Sequence, residues 1–157
     1  MRKIYNVLLM ITRLLWFKME MEQIARWAYI AFVAIAIVMG LAIGYMAWDK
    51  RAGVYLGDGW TDSDVSDYNG WVTLIMLILG VIIGLTSITE KEVTPFLIVT
   101  IALIVAATSA NVWSPLGNIH ELLYYWATAI LNYIVAFAAP AAVIIAIRAL
   151  LPMAKEK

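Results

Sequence analysis

The chain contains no cysteine and only one histidine, His120, among its 157 residues. Without thiols, disulfide bonds, thiol catalysis and cysteine-ligated metals are excluded, and the redox compartment is left open. With one histidine, a histidine-based metal cluster or catalytic triad within one chain would have to be built with no other imidazole or thiol.

Charged residues are also scarce, at 14% of the sequence against 64% hydrophobic residues. A typical soluble domain is about 25% charged and about 45–50% apolar. The formal net charge is zero, so the basic face that nucleic-acid binding requires is not indicated. We therefore expect an integral membrane protein whose partners are the lipid bilayer and other membrane subunits, with no nucleic acid.

Long apolar segments occupy most of the chain. A helix needs about 20 apolar residues to cross a hydrocarbon core about 30 Å thick. Runs of this kind predict four transmembrane helices, at residues 27–48, 71–89, 93–112 and 119–148. The fold class that follows is all-α: a four-helix transmembrane domain over residues 25–151.

Prolines and a short charged turn shape the last two predicted spans. Glu90, Lys91 and Glu92 separate the second span from the third, and Pro95 follows where a proline suits the first turn of a helix. This pattern predicts a tight helical hairpin. The fourth span is longer than a bilayer requires and contains Pro140, which predicts a tilt or a kink.

The distribution of Lys and Arg predicts the orientation. With the N-terminus inside the cell, Lys50 and Arg51 are the only two of the eleven Lys and Arg residues that lie outside. The cytoplasmic segments then contain Arg2, Lys3, Arg13, Lys18, Arg26, Lys91, Arg148, Lys155 and Lys157. We expect a multi-pass protein of the plasma membrane with both termini cytoplasmic, residues 152–157 forming the C-terminal tail.

Residues 1–24 form a separate amphipathic segment. On a helix, one narrow stripe carries the polar residues Arg2, Asn6, Arg13 and Glu20. The remaining surface carries the apolar residues Leu8, Met10, Ile11, Leu14 and Leu15. The pattern predicts an interfacial helix on the membrane surface. A pore-lining or gating element is the alternative. No A-x-A-like cleavage site follows the basic start, so we expect no cleavage, and Met19 and Met21 are alternative start sites.

Two spans carry glycine pairs at four-residue spacing, Gly40 with Gly44 and Gly80 with Gly84. Such pairs let two helix backbones approach closely, so they predict helix-packing surfaces. Packing within the bundle is the favoured interpretation. An interface between copies of the chain remains the alternative.

The loop between the first two spans, residues 49–70, is acidic. Asp58, Asp62, Asp64 and Asp67 offer oxygen ligands of the kind that calcium prefers. The order of an EF-hand is not met and the closing glutamate is missing. A solvated acidic extracytoplasmic loop is therefore favoured over a calcium site, and no other cofactor is expected.

His120 and Glu121 begin like the H-E-x-x-H motif, but Tyr124 stands where the second zinc ligand would be. Zinc protease chemistry is excluded on that ground, and His120 is predicted to cap a helix. The spans contain no charged residue between their aromatic ends, which argues against proton pumping and voltage sensing.

Asn132 is the most polar side chain within the fourth span. A hydrogen bond to another helix is the favoured role, and a place along a polar pore is the alternative. Packing surfaces without reactive groups favour a non-enzymatic, self-associating structural or assembly element, or a small subunit of a membrane complex. The alternative is a homo-oligomeric channel with the N-terminal helix near the conduction path.

The second hairpin carries the string GLTSITEKEVTPFLIVTIALIVA, residues 84–106. This string resembles a segment of small, uncharacterised four-span membrane proteins of prokaryotes, particularly archaea. The resemblance extends over residues 71–150 and implies the four-span topology. It implies no activity, cofactor or site residue.

Overall fold

The computed structural model describes residues 2–86 and 90–153, which form helices and their connections without a strand. The helices are α1 (Arg2–Asp49), α2 (Ser63–Thr86), α3 (Glu90–Thr108), α4 (Ala110–Trp113), α5 (Pro115–Ile119) and α6 (Glu121–Met153). A 3₁₀ turn, Asp58–Thr61, precedes α2. Within this described part of the chain, three segments are long and apolar enough to cross a membrane: Ile30–Asp49, Ser63–Leu85 and Glu121–Leu151. The all-α class is confirmed, and the chain has the helices of a membrane protein.

Helix α6 is the centre of the bundle, because it packs against α1, α2 and α3. Three of its large side chains, Tyr125, Tyr133 and Phe137, are at most 1% exposed. Met76 of α2 is equally buried, and Phe32 of α1 packs against Phe137 with tilted rings whose centroids are 5.3 Å apart. The core therefore forms along one face of α6.

The two glycine pairs determine how α1 and α2 meet α6. The contacts join Gly40 to Ile130, Gly44 to Tyr125, Gly80 to Phe137 and Gly84 to Ala141. From Gly40 to Gly44 the residue number of the contact on α6 decreases, so α1 and α6 are antiparallel. From Gly80 to Gly84 the residue number of the contact on α6 increases, so α2 and α6 are parallel. Both pairs thus make their close approaches within one chain.

Arginines connect the helices at both ends of the bundle. At the acidic-loop end, Arg51 Nε lies 2.6 Å from a carboxylate oxygen of Glu121 at the start of α6. At the opposite end, the Arg148 guanidinium donates to the carbonyl oxygens of Gly84 (3.3 Å) and Leu85 (2.7 Å). Carbonyls in the last turn of a helix have no partner within it, and the helix dipole favours a cation there. Arg148 therefore stabilises the C-terminal end of α2.

Helix α1 includes both the predicted interfacial segment and the first predicted span. No helix end separates residues 1–24 from the span, since α1 continues from Arg2 to Asp49. At 1.5 Å per residue the helix is about 72 Å long, more than twice the thickness of a hydrocarbon core of about 30 Å. The part of α1 before Ile30 accordingly exceeds what one crossing requires.

The third predicted span, residues 93–112, is interrupted in the structure. The apolar helix covers Val93–Thr108, which is shorter than a membrane-length helix. The chain leaves the helical conformation at Ser109 (φ −83°, ψ 67°), whose hydroxyl donates to the Val105 carbonyl at 2.7 Å. The Trp113 indole N–H then donates to the Ala106 carbonyl at 2.8 Å. The Val105 carbonyl still accepts the Ser109 N–H at 3.2 Å, so the helical bonds continue up to Ser109. The Trp113 indole then occupies the Ala106 carbonyl, which the N–H of residue 110 would bind in a continuing helix.

Several other boundaries differ by a few residues. Helix α3 begins at Glu90, so Pro95 falls in its second turn rather than its first, and residues 87–89 lie outside the described part. Helix α6 begins at Glu121 and continues across Pro140 to Met153. The predicted tail therefore starts inside α6, and its residues 154–157 lie outside the description.

Candidate functional site

Asp58 is the most buried carboxylate of the acidic loop, with 6% of its surface exposed. One carboxylate oxygen accepts the Val54 N–H at 2.8 Å, which closes a turn of the loop. The other accepts the hydroxyl of Tyr125 at 3.2 Å. Since Tyr125 lies on α6, the carboxylate joins the loop to the central helix.

The environment of Asp58 favours its ionised form. Burial raises the pKa of the carboxyl, but hydrogen bonds from the Val54 N–H, the Tyr125 hydroxyl and nearby backbone outweigh burial and hold the pKa below its ordinary value. The ionised carboxylate therefore stabilises the folded chain at pH values above its ordinary pKa. This contribution is lost as the pH falls through the folded-state pKa.

Gly59 brings the loop into direct contact with the helices. Its N–H donates to the Tyr125 hydroxyl oxygen at 3.2 Å, so that hydroxyl both accepts from Gly59 and donates to Asp58. A Cβ atom at this position would collide with the carbonyl oxygen of Ala47, near the end of α1. Only glycine permits this approach without displacement of backbone.

Aromatic rings surround these hydrogen bonds. Trp60 lies 5.8 Å from Tyr125 between ring centroids, and Tyr124 meets Tyr125 edge to face at the same distance. Gly57, at φ 96°, turns the loop beside Tyr124. We refer to Asp58, Gly59, Trp60, Tyr124 and Tyr125 as the loop cluster.

A second tyrosine of α6 joins the adjacent helix. The hydroxyl of Tyr133, which is 1% exposed, donates to the side-chain oxygen of Asn69 at 2.8 Å. Side chains on a helix point towards its N-terminus, so a tyrosine deep in α6 reaches towards the start of the parallel α2. Asn69 thus provides the partner that a buried phenol requires.

Arg51 connects three features at the same end of the bundle. It donates to the Trp48 carbonyl oxygen at 2.5 Å, lies 4.5 Å from the centroid of the Trp48 ring, and forms the ion pair with Glu121. It therefore caps the end of α1 and holds the start of α6 beside it.

His120 caps α6, as the sequence predicted. Its Nδ1 accepts the N–H of Leu122 at 3.2 Å, and its ring lies 5.9 Å from that of Trp48.

The structure does not bring the four aspartates of the calcium hypothesis together. Asp58 is turned inward to Tyr125, whereas Asp62 caps α2 by accepting the N–H groups of Asp64 (3.1 Å) and Val65 (3.4 Å). Asp64 pairs with Lys50 at 3.4 Å, and Asp67 is exposed. Across residues 2–86 and 90–153, no group of three or more acidic, histidine or cysteine side chains could hold a metal ion.

The cap at Asp62 also corrects the boundary of the acidic loop. Helix α2 begins at Ser63, so residues 63–70 of the predicted loop are helical. An aspartate cap followed by Asp64 in the first turn is a common helix start, because both groups favour the unpaired N–H groups and positive dipole there. The start of α2 could therefore have been predicted from Asp62 and Asp64 in the sequence.

Asn132 does not take the interhelical role within the described chain. It is exposed on α6, and no hydrogen bond joins its amide to another described residue. The buried polar links to α6 are made instead by Tyr125 and Tyr133, which sequence reasoning treated as aromatic side chains. Their partners, 67 and 64 residues away, give no local signal.

Removing the Tyr125 hydroxyl tests the loop cluster. We expect Tyr125→Phe to lower the free energy of unfolding by roughly 1–3 kcal/mol, because the Gly59 N–H and one oxygen of Asp58 lose a buried partner. Tyr124→Phe is the matched control, since no hydrogen bond joins the Tyr124 hydroxyl to the described residues; its effect should stay within about 0.5 kcal/mol. Denaturation in mixed micelles followed by circular dichroism measures both, and equal losses would contradict the assignment.

The chain was compared with models of protein families, with curated proteins and with solved structures, and no match was found.

Proposed function

We propose that the chain is a non-enzymatic, self-associating structural or assembly element of the plasma membrane, or a small subunit of a membrane complex. The main support for the proposal is that charged side chains at both ends of the bundle make contacts within the chain. Asp58, Arg51 and Arg148 each bind another element of the same chain. Groups that could support catalysis thus hold helices together.

Four crossings with both termini in the cytoplasm are part of this proposal. Leu85 contacts Arg148 at one end of α6, whereas Glu121 contacts Arg51 at the other. The 27 residue-to-residue steps from Glu121 to Arg148 rise about 40 Å along a helix. The chain between Leu85 and Glu121 must cover this distance, which supports α3 as the fourth crossing despite its shorter apolar length.

The charge distribution supports the orientation. Lys50 and Arg51, the two cations that this topology places outside, are paired with Asp64 and Glu121. The remaining Lys and Arg residues lie on the cytoplasmic side under the same topology. An interfacial position of residues 1–24 would require α1 to bend before the span.

Single cysteines test the topology cleanly because the native sequence has none. In intact cells, a membrane-impermeant maleimide should label Ser66→Cys and Asn118→Cys. Thr89→Cys and Lys157→Cys should react only after permeabilisation. Labelling of Thr89→Cys and Asn118→Cys from the same side would show that α3 does not cross the membrane.

Self-association is tested by energy transfer between labelled copies in liposomes over a range of protein-to-lipid ratios. Transfer above the level of random proximity is expected. A monomer at every ratio would overturn the self-associating role.

The alternative proposal is a homo-oligomeric channel. The exposed amide of Asn132 favours it, because such a residue would line a polar lumen between copies. Liposomes of verified protein density should conduct ions or release a dye if the channel exists. Sealed liposomes would argue against it and leave the structural role in place.

A further inference from the structure

Asn132 differs from three threonines that lie along the apolar helices. The hydroxyls of Thr100, Thr108 and Thr128 each donate to a carbonyl of their own helix. The Asn132 amide has two donor hydrogens and an acceptor oxygen, which no described residue binds. Its hydrogen-bonding capacity is therefore directed away from the chain.

The position of Asn132 along the bundle makes this exposure significant. Ile130 lies against Gly40, which is near the middle of the apolar segment Ile30–Asp49. Asn132 is two residues farther along α6, about 3 Å in helix rise. The amide is thus near mid-depth, where hydrocarbon offers no hydrogen-bond partner.

The residues around Asn132 suit helix contact. At 3.6 residues per turn, Thr128, Ala139 and Val143 lie within roughly 40° of Asn132 around α6. All are uncharged, and the Thr128 hydroxyl is bound to its own helix. We call these four residues the Asn132 face. Small side chains on it allow another helix to approach closely.

We propose that the Asn132 face binds a second copy of this chain, and that the two Asn132 amides bind each other across a two-fold axis. Each side-chain N–H donates to the carbonyl oxygen of the partner amide. This inference rests on the proposed self-association and names the surface that performs it.

Amide chemistry and orientation favour a second copy as the occupant. An amide is complementary to itself, having both a donor and an acceptor. Copies with the same membrane orientation are related by an axis along the membrane normal, and two-fold symmetry brings each residue opposite its equivalent at the same depth. Asn132 therefore meets Asn132 without any further partner.

Oxidative cross-linking in membranes tests the geometry. Ala139→Cys is introduced into the otherwise cysteine-free chain, with Asn132 left intact. A disulfide dimer should form, since paired cysteines require Cα atoms about 4.4–6.8 Å apart. Val105→Cys, on an exposed position of α3, is the matched control and should remain monomeric.

The amide itself is tested in the same background. Asn132→Leu should reduce the cross-linked fraction, whereas Asn132→Gln, which retains the amide, should largely preserve it. In liposomes, Asn132→Leu should weaken dimerisation by at least about 5- to 30-fold, because it removes both hydrogen bonds of the amide pair and one interhelical hydrogen bond alone accounts for that range. At dilutions where both proteins are monomeric, thermal unfolding of the variants should match that of the unchanged protein, because Asn132 is exposed in one chain.

The outcomes separate the inference from the function on which it depends. Two results would contradict the role of the Asn132 face and leave self-association standing. In the first, Asn132→Leu does not affect self-association; in the second, Val105→Cys and Ala139→Cys cross-link equally. A monomeric wild-type protein would overturn both.

Discussion

Replacing Gly59 with alanine is expected to detach the acidic loop from the helices. The new Cβ would overlap the carbonyl oxygen of Ala47, and backbone must move because neither atom belongs to a flexible side chain. Moving the loop also breaks the bond from Gly59 to Tyr125. We expect a loss of roughly 2–6 kcal/mol in the free energy of unfolding, from an overpacked contact together with a broken buried hydrogen bond.

Hydrogen exchange followed by mass spectrometry gives a local measurement of this change. Peptides covering residues 50–66 should exchange faster in Gly59→Ala, whereas those from the middle of α6 should change less. Gly70→Ala is the matched control, because nothing lies within 4 Å of its added Cβ and alanine favours the helix. Unchanged exchange in Gly59→Ala would show that the loop does not rest on Ala47.

Gly80→Ala is expected to separate α2 from α6. The added Cβ would overlap the Phe137 carbonyl oxygen and the ring of Pro140, both parts of the central helix. Overpacking of a close contact lowers the free energy of unfolding by roughly 1–3 kcal/mol, and by more where backbone meets backbone. Gly70→Ala, on the same helix, should raise it by up to about 1 kcal/mol.

Unfolding in mixed micelles measures both variants, and cross-linking through Ala139→Cys adds a second readout. If Gly80 served contacts between copies, alanine would reduce dimerisation and leave the single chain as stable as the Gly70→Ala variant. That result would contradict the packing of α2 on α6.

Length and hydropathy were sufficient to predict the helical class and the three membrane-length segments. The glycine spacing predicted close approach, but it could not identify α6 as the common partner of α1 and α2, because spacing carries no information about the opposite surface. The break at Ser109 was missed since a serine hydroxyl bound to the preceding turn reads as one more small residue in an apolar run.

The candidate site was less accessible to prediction. Four aspartates in one loop indicated an oxygen-rich site, yet Asp58, Asp62 and Asp64 have different partners. The cap at Asp62 was readable from local sequence. The bond between Asp58 and Tyr125 was not, because it depends on the helix packing that brings the loop to α6.

The central position of α6 has a consequence for biosynthesis. The ribosome makes these 33 residues after all the helices that pack on them, so the glycine faces of α1 and α2 enter the bilayer before their partner exists. A nascent chain stalled before Glu121 would leave helices inserted but unpacked. The packing of α1 and α2 is thus completed only after α6 has been made, and chains cut short within α6 would leave both glycine faces unpaired.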